Sequence, residues 1–143
     1  MSQSLPTAGR PLNVLHVDDD PMNRRVVEEI LLAFGHTGVA AASGDEALAR
    51  LVSQPFDVVL MDIHMPGMSG LEVVRRLRAL PGPERATPVI ALTADVVSRP
   101  PEAYRQFGFC DFVSKPILVS GLLAALAKAA NAVPANDQVS RTG

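Results

Sequence analysis

The chain has 143 residues, a formal net charge of −2 and 48% hydrophobic residues, which excludes a disordered chain and predicts one folded domain. The near balance of charge argues against a nucleic-acid partner, and no apolar run is long enough to span a membrane. A single cysteine, Cys110, excludes a disulfide framework. The polar amino terminus lacks the apolar core of a signal peptide, so we expect a cytoplasmic protein.

Short apolar runs alternate with helical patterns between a flexible leader at residues 1–11 and a flexible tail at residues 131–143. The first half of the chain predicts a strand at 12–17, a helix that begins after Asp20 and ends at Gly35, a strand at 37–42 and a helix at 43–53. The second half predicts a strand at 56–61, a helix from Ser69 to Pro81, a strand at 88–92, a short helix from Pro101 to Gly108, a strand at 109–114 and a helix at 118–130.

This alternation predicts an α/β domain at residues 12–130, in which helices cover both faces of a five-stranded parallel sheet. The uninterrupted apolar runs at 58–61 and 89–92 fit strands that are buried on both faces. Ligands of such sheets bind at the carboxyl ends of the strands. The residues at those ends therefore decide the function.

Polar residues stand at four of these ends: Asp18, Asp19 and Asp20 after the first strand, Asp62 after the third, Thr93 after the fourth and Lys115 after the fifth. Clustered carboxylates repel one another and favour a hard cation, Mg²⁺ first and Mn²⁺ as an alternative. Lys115 and Thr93 suit phosphoryl oxygens, and Asp62 can act as a nucleophile that forms an aspartyl phosphate.

Four segments resemble the receiver domain of response regulators, the phosphoacceptor module of two-component signalling. They are residues 14–23 (VLHVDDDPMN), 57–72 (DVVLMDIHMPGMSGLE), 91–94 (ALTA) and 112–116 (FVSKP). The resemblance spans residues 11–131 and implies a flavodoxin-like fold with strand order 2-1-3-4-5. The second segment is most similar to receivers of hybrid kinases and of stand-alone regulators.

The resemblance implies roles for the acidic residues and their neighbours. Asp62 would be the phosphorylation site, Asp19 would bind Mg²⁺ directly and Asp18 would act mainly through water. His64 would offer its backbone carbonyl to the metal. The side chains of His64 and Asp95 would tune the lifetime of the phosphorylated state.

The resemblance also implies which groups contact the phosphoryl group and which respond to it. Thr93 would donate its hydroxyl, Ala94 its backbone N–H, and Lys115 its ammonium group. The Lys115–Pro116 peptide bond is often cis in such proteins. Phe112 would occupy the aromatic switch position and, lacking a hydroxyl, would act by packing.

The implied donor is the phosphohistidine of a histidine kinase or of a histidine phosphotransfer protein. The chain would assist its own phosphorylation and dephosphorylation, so we expect a signalling phosphoacceptor and not an enzyme. Its output would be the surface of the fourth helix, fifth strand and fifth helix, which would bind a downstream protein. The apolar fifth helix adds a homodimer through this surface as a further candidate.

Two other functions are open at this point. Asp18 and Asp20 after an apolar strand resemble the nucleophile loop of haloacid-dehalogenase-like phosphatases, in which Asp18 would carry the phosphoryl group. Pro21 and Met22 depart from that loop, and Asp20 could instead cap the helix that follows. A degenerate receiver that acts purely as a binding module is the second alternative.

Overall fold

The computed structural model of the protein describes residues 9–94 and 101–142. The strands in these ranges are Asn13–Val17 (β1), Thr37–Ala41 (β2), Val58–Asp62 (β3), Val89–Thr93 (β4) and Asp111–Ser114 (β5). The α-helices are Pro21–Ala33 (α1), Gly44–Ser53 (α2), Gly70–Arg78 (α3), Pro101–Gln106 (α4) and Val119–Thr142 (α5). Most of the predicted leader, residues 1–8, lies outside the described residues.

The strands form one parallel sheet in the order β2-β1-β3-β4-β5, which confirms the predicted fold class and strand order. Every residue of β3 and β4 is buried, because helices cover both faces of the sheet. α2, α3 and α4 pack on one face around Val59 and Met61. α1 and α5 pack on the other face around Leu60 and Leu122.

Side-chain caps set the starts of the two helices that follow β1 and β3. The Asp20 carboxylate accepts a hydrogen bond from the Met22 N–H at 2.9 Å and so caps α1. The Ser69 hydroxyl accepts from the Glu72 N–H at 3.3 Å and caps α3, as the sequence predicts. These caps anchor the far ends of the loops that carry the acidic residues.

The observed ends of several elements differ from the predicted ones. α3 ends at Arg78, short of Pro81, because the residue before a proline disfavours the helical conformation. A 3₁₀ helix at Pro83–Ala86 follows that the sequence does not predict. β5 begins at Asp111, two residues later than predicted, although the Cys110 N–H already donates to the Val89 carbonyl at 2.9 Å.

α5 continues to Thr142, whereas the sequence predicts an end at Ala130. The extension includes Pro134, which lacks a backbone N–H, so helix propensity does not explain it. In the part of α5 up to Asn131, six apolar side chains are buried against the sheet: Leu122, Leu123, Ala125, Leu126, Ala129 and Ala130. Leu118 and Val119, where α5 begins, are exposed. Within the described ranges, no helix is long and apolar enough to cross a membrane.

Candidate functional site

The candidate residues lie at the carboxyl ends of four neighbouring strands. Asp18 directly follows β1, Asp62 ends β3, Thr93 ends β4 and Lys115 directly follows β5. Since β1, β3, β4 and β5 are adjacent and parallel, these ends meet at one edge of the sheet. The sequence prediction that they converge is confirmed.

Asp18, Asp19 and Asp62 form an acidic cluster at this edge. Each offers one carboxylate oxygen, and these oxygens all lie within 4.8 Å of one another. Asp18 and Asp62 are buried, whereas Asp19 is exposed. Three carboxylates this close repel one another, and an all-oxygen donor set suits a hard divalent cation. Asp20 is not part of the cluster, because its carboxylate caps α1.

Backbone and side-chain contacts hold the loop that carries Asp18. Its Oδ1 accepts from the Asp20 N–H at 2.9 Å, and its own N–H donates to the Ala41 carbonyl at 3.1 Å. The Arg24 guanidinium on α1 donates to the Asp18 carbonyl oxygen at 2.6 Å. The acidic loop is therefore tied both to β2 and to α1.

Lys115 bridges the two buried carboxylates. Its Nζ lies 3.2 Å from Asp62 Oδ1 and 3.5 Å from Asp18 Oδ2. The Lys115 N–H donates to the Thr93 carbonyl at 2.8 Å, and the Lys115–Pro116 peptide bond is cis, as predicted. One ammonium group thus faces two carboxylates, so the cluster of acidic groups keeps a negative charge.

The electrostatics of the cluster act on Asp62. Burial, and next the charge of Asp18, raise the pKa of the Asp62 carboxyl. The ammonium group of Lys115 and the His64 N–H, which donates to Asp62 Oδ1 at 3.3 Å, offset part of this increase. In the protein alone, the ionised form of Asp62 is disfavoured. An added positive charge nearby would stabilise it.

The other predicted contact residues surround the cluster. Thr93 is buried, and Ala94 and His64 are exposed. Asp95 lies outside the described residues. The structure brings Thr93, Lys115 and the three aspartates to one edge of the sheet, while the roles implied for Ala94 and His64 stay predictions.

Phe112, the predicted switch residue, lies in β5 and is half-buried. Its ring stacks on the ring of Tyr104 from α4, with centroids 5.7 Å apart and planes at 19°. Tyr104 in turn makes an edge contact with Phe109 at 6.0 Å. Aromatic packing therefore joins β5 to α4, the elements of the predicted output surface.

Sequence reasoning gave no role at the site to His16 or Arg24. His16 is buried in β1, with Nε2 3.9 Å from Asp18 Oδ2. Its position in an apolar strand, two residues before an acidic run, is the signal that could have drawn attention to it. Arg24 acts through its contact with the Asp18 backbone, which no spacing rule predicts.

Comparison with known proteins agrees with this geometry. A family model for the response regulator receiver domain matches residues 14–127. The chain belongs to this family. It is 35% identical over 119 residues to the sensory/regulatory protein RpfC of Xanthomonas campestris pv. campestris (strain 8004), covering 82% of this chain and 16% of that protein. It is 37% identical over 125 residues to the sensor histidine kinase AruS of Pseudomonas aeruginosa, covering 87% of this chain and 12% of that protein.

Solved receiver structures show the same fold. The receiver domain of the sensor histidine kinase PA1611 from Pseudomonas aeruginosa PAO1, which has a magnesium ion in its active site cleft, is 30% identical with a TM-score of 0.77. That match covers 85% of this chain and 99% of the other. The Vibrio cholerae chemotaxis protein CheY4 is 31% identical, with a TM-score of 0.75 over 84% of this chain and 99% of the other. The chain is thus a receiver domain, and it spans less than a fifth of the length of these two curated relatives.

Proposed function

We propose that this receiver domain accepts a phosphoryl group from a phosphohistidine on Asp62, with a divalent cation held by Asp18, Asp19 and Asp62. The observation that carries the proposal is the placement of the Asp62 carboxylate. It is buried, lies in the acidic cluster and is 3.2 Å from the Lys115 ammonium group. A nucleophile beside an acidic cation site and a fixed positive charge suits phosphoryl transfer.

The residues of the cluster fit Mg²⁺, with Mn²⁺ as an alternative. All three ligand groups are carboxylates, and burial and next the charge of Asp18 raise the pKa of Asp62, so its ionised form would gain from a nearby cation. We assign the backbone carbonyl of His64 as a further ligand. When bound, the cation neutralises charge on the group that is transferred.

The side chains at the site promote the transfer through their positions and their charges. An oxygen of Asp62 attacks the phosphorus in line, the P–N bond of the phosphohistidine breaks, and the imidazole leaves with the electron pair. The Lys115 ammonium group faces the phosphoryl oxygens as an ion-pair partner. The Thr93 hydroxyl and the Ala94 N–H donate hydrogen bonds to the same oxygens.

The surface beside the site suits docking of the protein that carries the phosphohistidine. Met22 and Val26 on α1 are 67% and 42% exposed. Val26 also lines a cavity of about 240 Å³ together with Lys115 and Ile117. An exposed apolar rim next to the nucleophile is the kind of surface that binds a protein partner. We infer that a histidine kinase or histidine phosphotransfer protein docks here, in the cytoplasm.

The output surface is formed by α4, β5 and α5. We propose that the phosphoryl group draws the Thr93 hydroxyl toward Asp62 and that Phe112 then repacks against Tyr104, 5.7 Å away in the present arrangement. A downstream protein would read this change in packing. The case for a homodimer through the same surface now rests on the exposed Leu118 and Val119, because Leu122, Leu123 and Leu126 of α5 are buried.

Uptake of a phosphoryl group tests the function. With acetyl phosphate and Mg²⁺, intact-protein mass spectrometry should show the addition of one phosphoryl group to the wild type and none when EDTA replaces Mg²⁺. Thr93→Ala should slow the uptake without abolishing it, because Lys115 still contacts the group. No uptake by folded wild-type protein would contradict the proposal and favour the degenerate binding module.

A further inference from the structure

His16 is a buried polar side chain whose ring lacks a hydrogen-bond partner in the described part of the chain. Its side chain is 3% exposed, and neither Nδ1 nor Nε2 makes a hydrogen bond. An unpaired polar group in the interior is destabilising, because it has lost its hydrogen bonds to water. Leu12, just before β1, and Val14, in β1, occupy the alternate positions before His16, and both are apolar and belong to the core beneath α1 and α5.

Asp18, two residues further on, has only a long hydrogen bond on one side. Its side chain is 1% exposed, and its Oδ1 accepts from the Asp20 N–H at 2.9 Å. Among the described residues, Oδ2 has the Lys115 ammonium at the long distance of 3.5 Å. Residues i and i+2 of a strand project to the same face, and His16 Nε2 lies 3.9 Å from this oxygen.

We propose that His16 is a positioning residue for the cation site: its Nε2–H donates to Asp18 Oδ2 and fixes the orientation of that carboxylate beside Asp19 and Asp62. A movement of about 1 Å converts the present separation into a hydrogen bond of ordinary length. The bond gives the buried His16 ring a partner and gives Asp18 Oδ2 a second, shorter contact beside Lys115. The inference rests on the proposed function, since it assigns His16 to the cation site.

The chemistry of the ring is compatible with this assignment. A neutral imidazole carries one N–H donor and one acceptor nitrogen. If Nε2 carries the proton, Nδ1 is an acceptor. The ring borders a cavity of about 10 Å³ that Arg24 and Glu28 also line. That volume holds about one water molecule, which would donate to Nδ1.

Three substitutions at His16 separate positioning from packing. His16→Gln keeps an N–H at the distance of Nε2 from the backbone, His16→Asn keeps one only at the distance of Nδ1, and His16→Leu keeps none. The affinity for Mn²⁺ alone is measured from the signal of the free ion in electron paramagnetic resonance. We expect the Leu and Asn variants to bind about tenfold more weakly than the wild type, and the Gln variant to bind within about threefold of it.

Equal Mn²⁺ affinity in the wild type and all three variants would overturn the inference. Equal weakening in the Gln and Asn variants would also overturn it, because a purely structural role predicts that result. Thermal unfolding in EDTA establishes that each variant is folded.

The tautomer of the wild-type ring provides a second readout that needs neither a variant nor a metal. Long-range ¹H–¹⁵N NMR should show the proton on Nε2, and a proton on Nδ1 would overturn the inference. Failure of the wild type to bind Mn²⁺ would contradict the proposed function instead. In that case the tautomer would test only whether His16 donates through Nε2.

Discussion

Asp62 is held as an anion at a stability cost. Burial and next the charge of Asp18 raise its pKa. The ionised carboxylate therefore lowers the free energy of unfolding at every pH above that raised value. This loss of stability disappears as the pH falls toward the ordinary pKa of 3.8. Asp62→Asn removes the charge and keeps the shape. We expect this variant to melt a few degrees higher than the wild type at pH 7 in EDTA.

Thermal unfolding in EDTA and in Mg²⁺ checks this prediction. Mg²⁺ should stabilise the wild type more than Asp62→Asn, because the variant has lost a ligand. Asp45→Asn, at an exposed position in the first turn of α2, controls for the loss of one negative charge. An Asp62→Asn protein that melts below the wild type in EDTA would contradict this prediction.

His36 makes stability depend on pH in a predictable direction. It is buried, and its Nδ1 accepts from the Leu12 N–H at 3.0 Å. Burial lowers its pKa below 6.5, so the unfolded chain takes up a proton first as the pH falls. The contribution of His36 to stability is therefore complete above about pH 6.5 and is lost progressively below it.

His36→Asn keeps an acceptor for the Leu12 N–H without a basic group. We expect it to flatten the decrease in free energy of unfolding between about pH 7 and about pH 5, measured by urea titration in EDTA. His64→Gln, at an exposed position, is the matched control. If His36→Asn leaves the pH dependence of the free energy of unfolding unchanged, other groups determine that dependence, His16 among them.

Sequence reasoning located the acidic cluster because each carboxylate follows an apolar run. Asp18 and Asp62 could be placed at one edge once the strands were read as parallel and adjacent. The contact of Arg24 could not be placed in this way, because it depends on how α1 lies over β1, which periodicity does not describe. The proximity of His16 to Asp18 follows from the i, i+2 spacing, but the sequence does not show that the ring is buried without a partner.

At the scale of the elements, Gly70 at the start of α3 packs closely against the backbone of Asp62 and Ile63. A Cβ atom on Gly70 would lie 2.5 Å from the Asp62 carbonyl oxygen and 3.0 Å from Ile63 Cα. The Gly70 N–H also donates to the Ile63 carbonyl at 3.0 Å. We expect Gly70→Ala to lower the free energy of unfolding by about 1–3 kcal/mol and to weaken Mn²⁺ binding, because it pushes the Asp62 loop away from α3.

Gly121→Ala is the matched control for this substitution. Gly121 lies in α5 with no atom near the position of a Cβ, so alanine there should raise the free energy of unfolding by up to about 1 kcal/mol. Urea unfolding and Mn²⁺ titration of both variants give the comparison. A Gly70→Ala protein as stable as the wild type, with the same affinity, would show that the loop can move without cost.

Element boundaries were predicted less well than element order. α1 and α3 begin where Asp20 and Ser69 cap them, as their sequence signals indicate. Pro134 is a stop signal that favours the predicted end of α5 near Ala130, yet the helix continues to Thr142. Local capping chemistry can be read from neighbouring residues, whereas a stop signal alone does not fix where a helix ends.

At the scale of the whole molecule, the exposed apolar rim beside the site predicts where the phosphohistidine donor docks. Val26→Asp should reduce the rate of transfer from a phosphorylated histidine phosphotransfer protein about tenfold. Uptake from acetyl phosphate should be unchanged, because that donor needs no protein contact. Val52→Asp, on α2 and 61% exposed, should leave both rates unchanged. Equal losses in the two variants would contradict the assignment of the docking surface.

The location of the phosphoryl group tests the central claim most directly. After reaction with acetyl phosphate and Mg²⁺, borohydride reduces an aspartyl phosphate to homoserine, and mass spectrometry of peptides identifies the modified residue. We predict homoserine at position 62 and its absence in Asp62→Asn. Modification of Asp18 instead would contradict the proposed mechanism and support a phosphatase-like nucleophile at the end of β1.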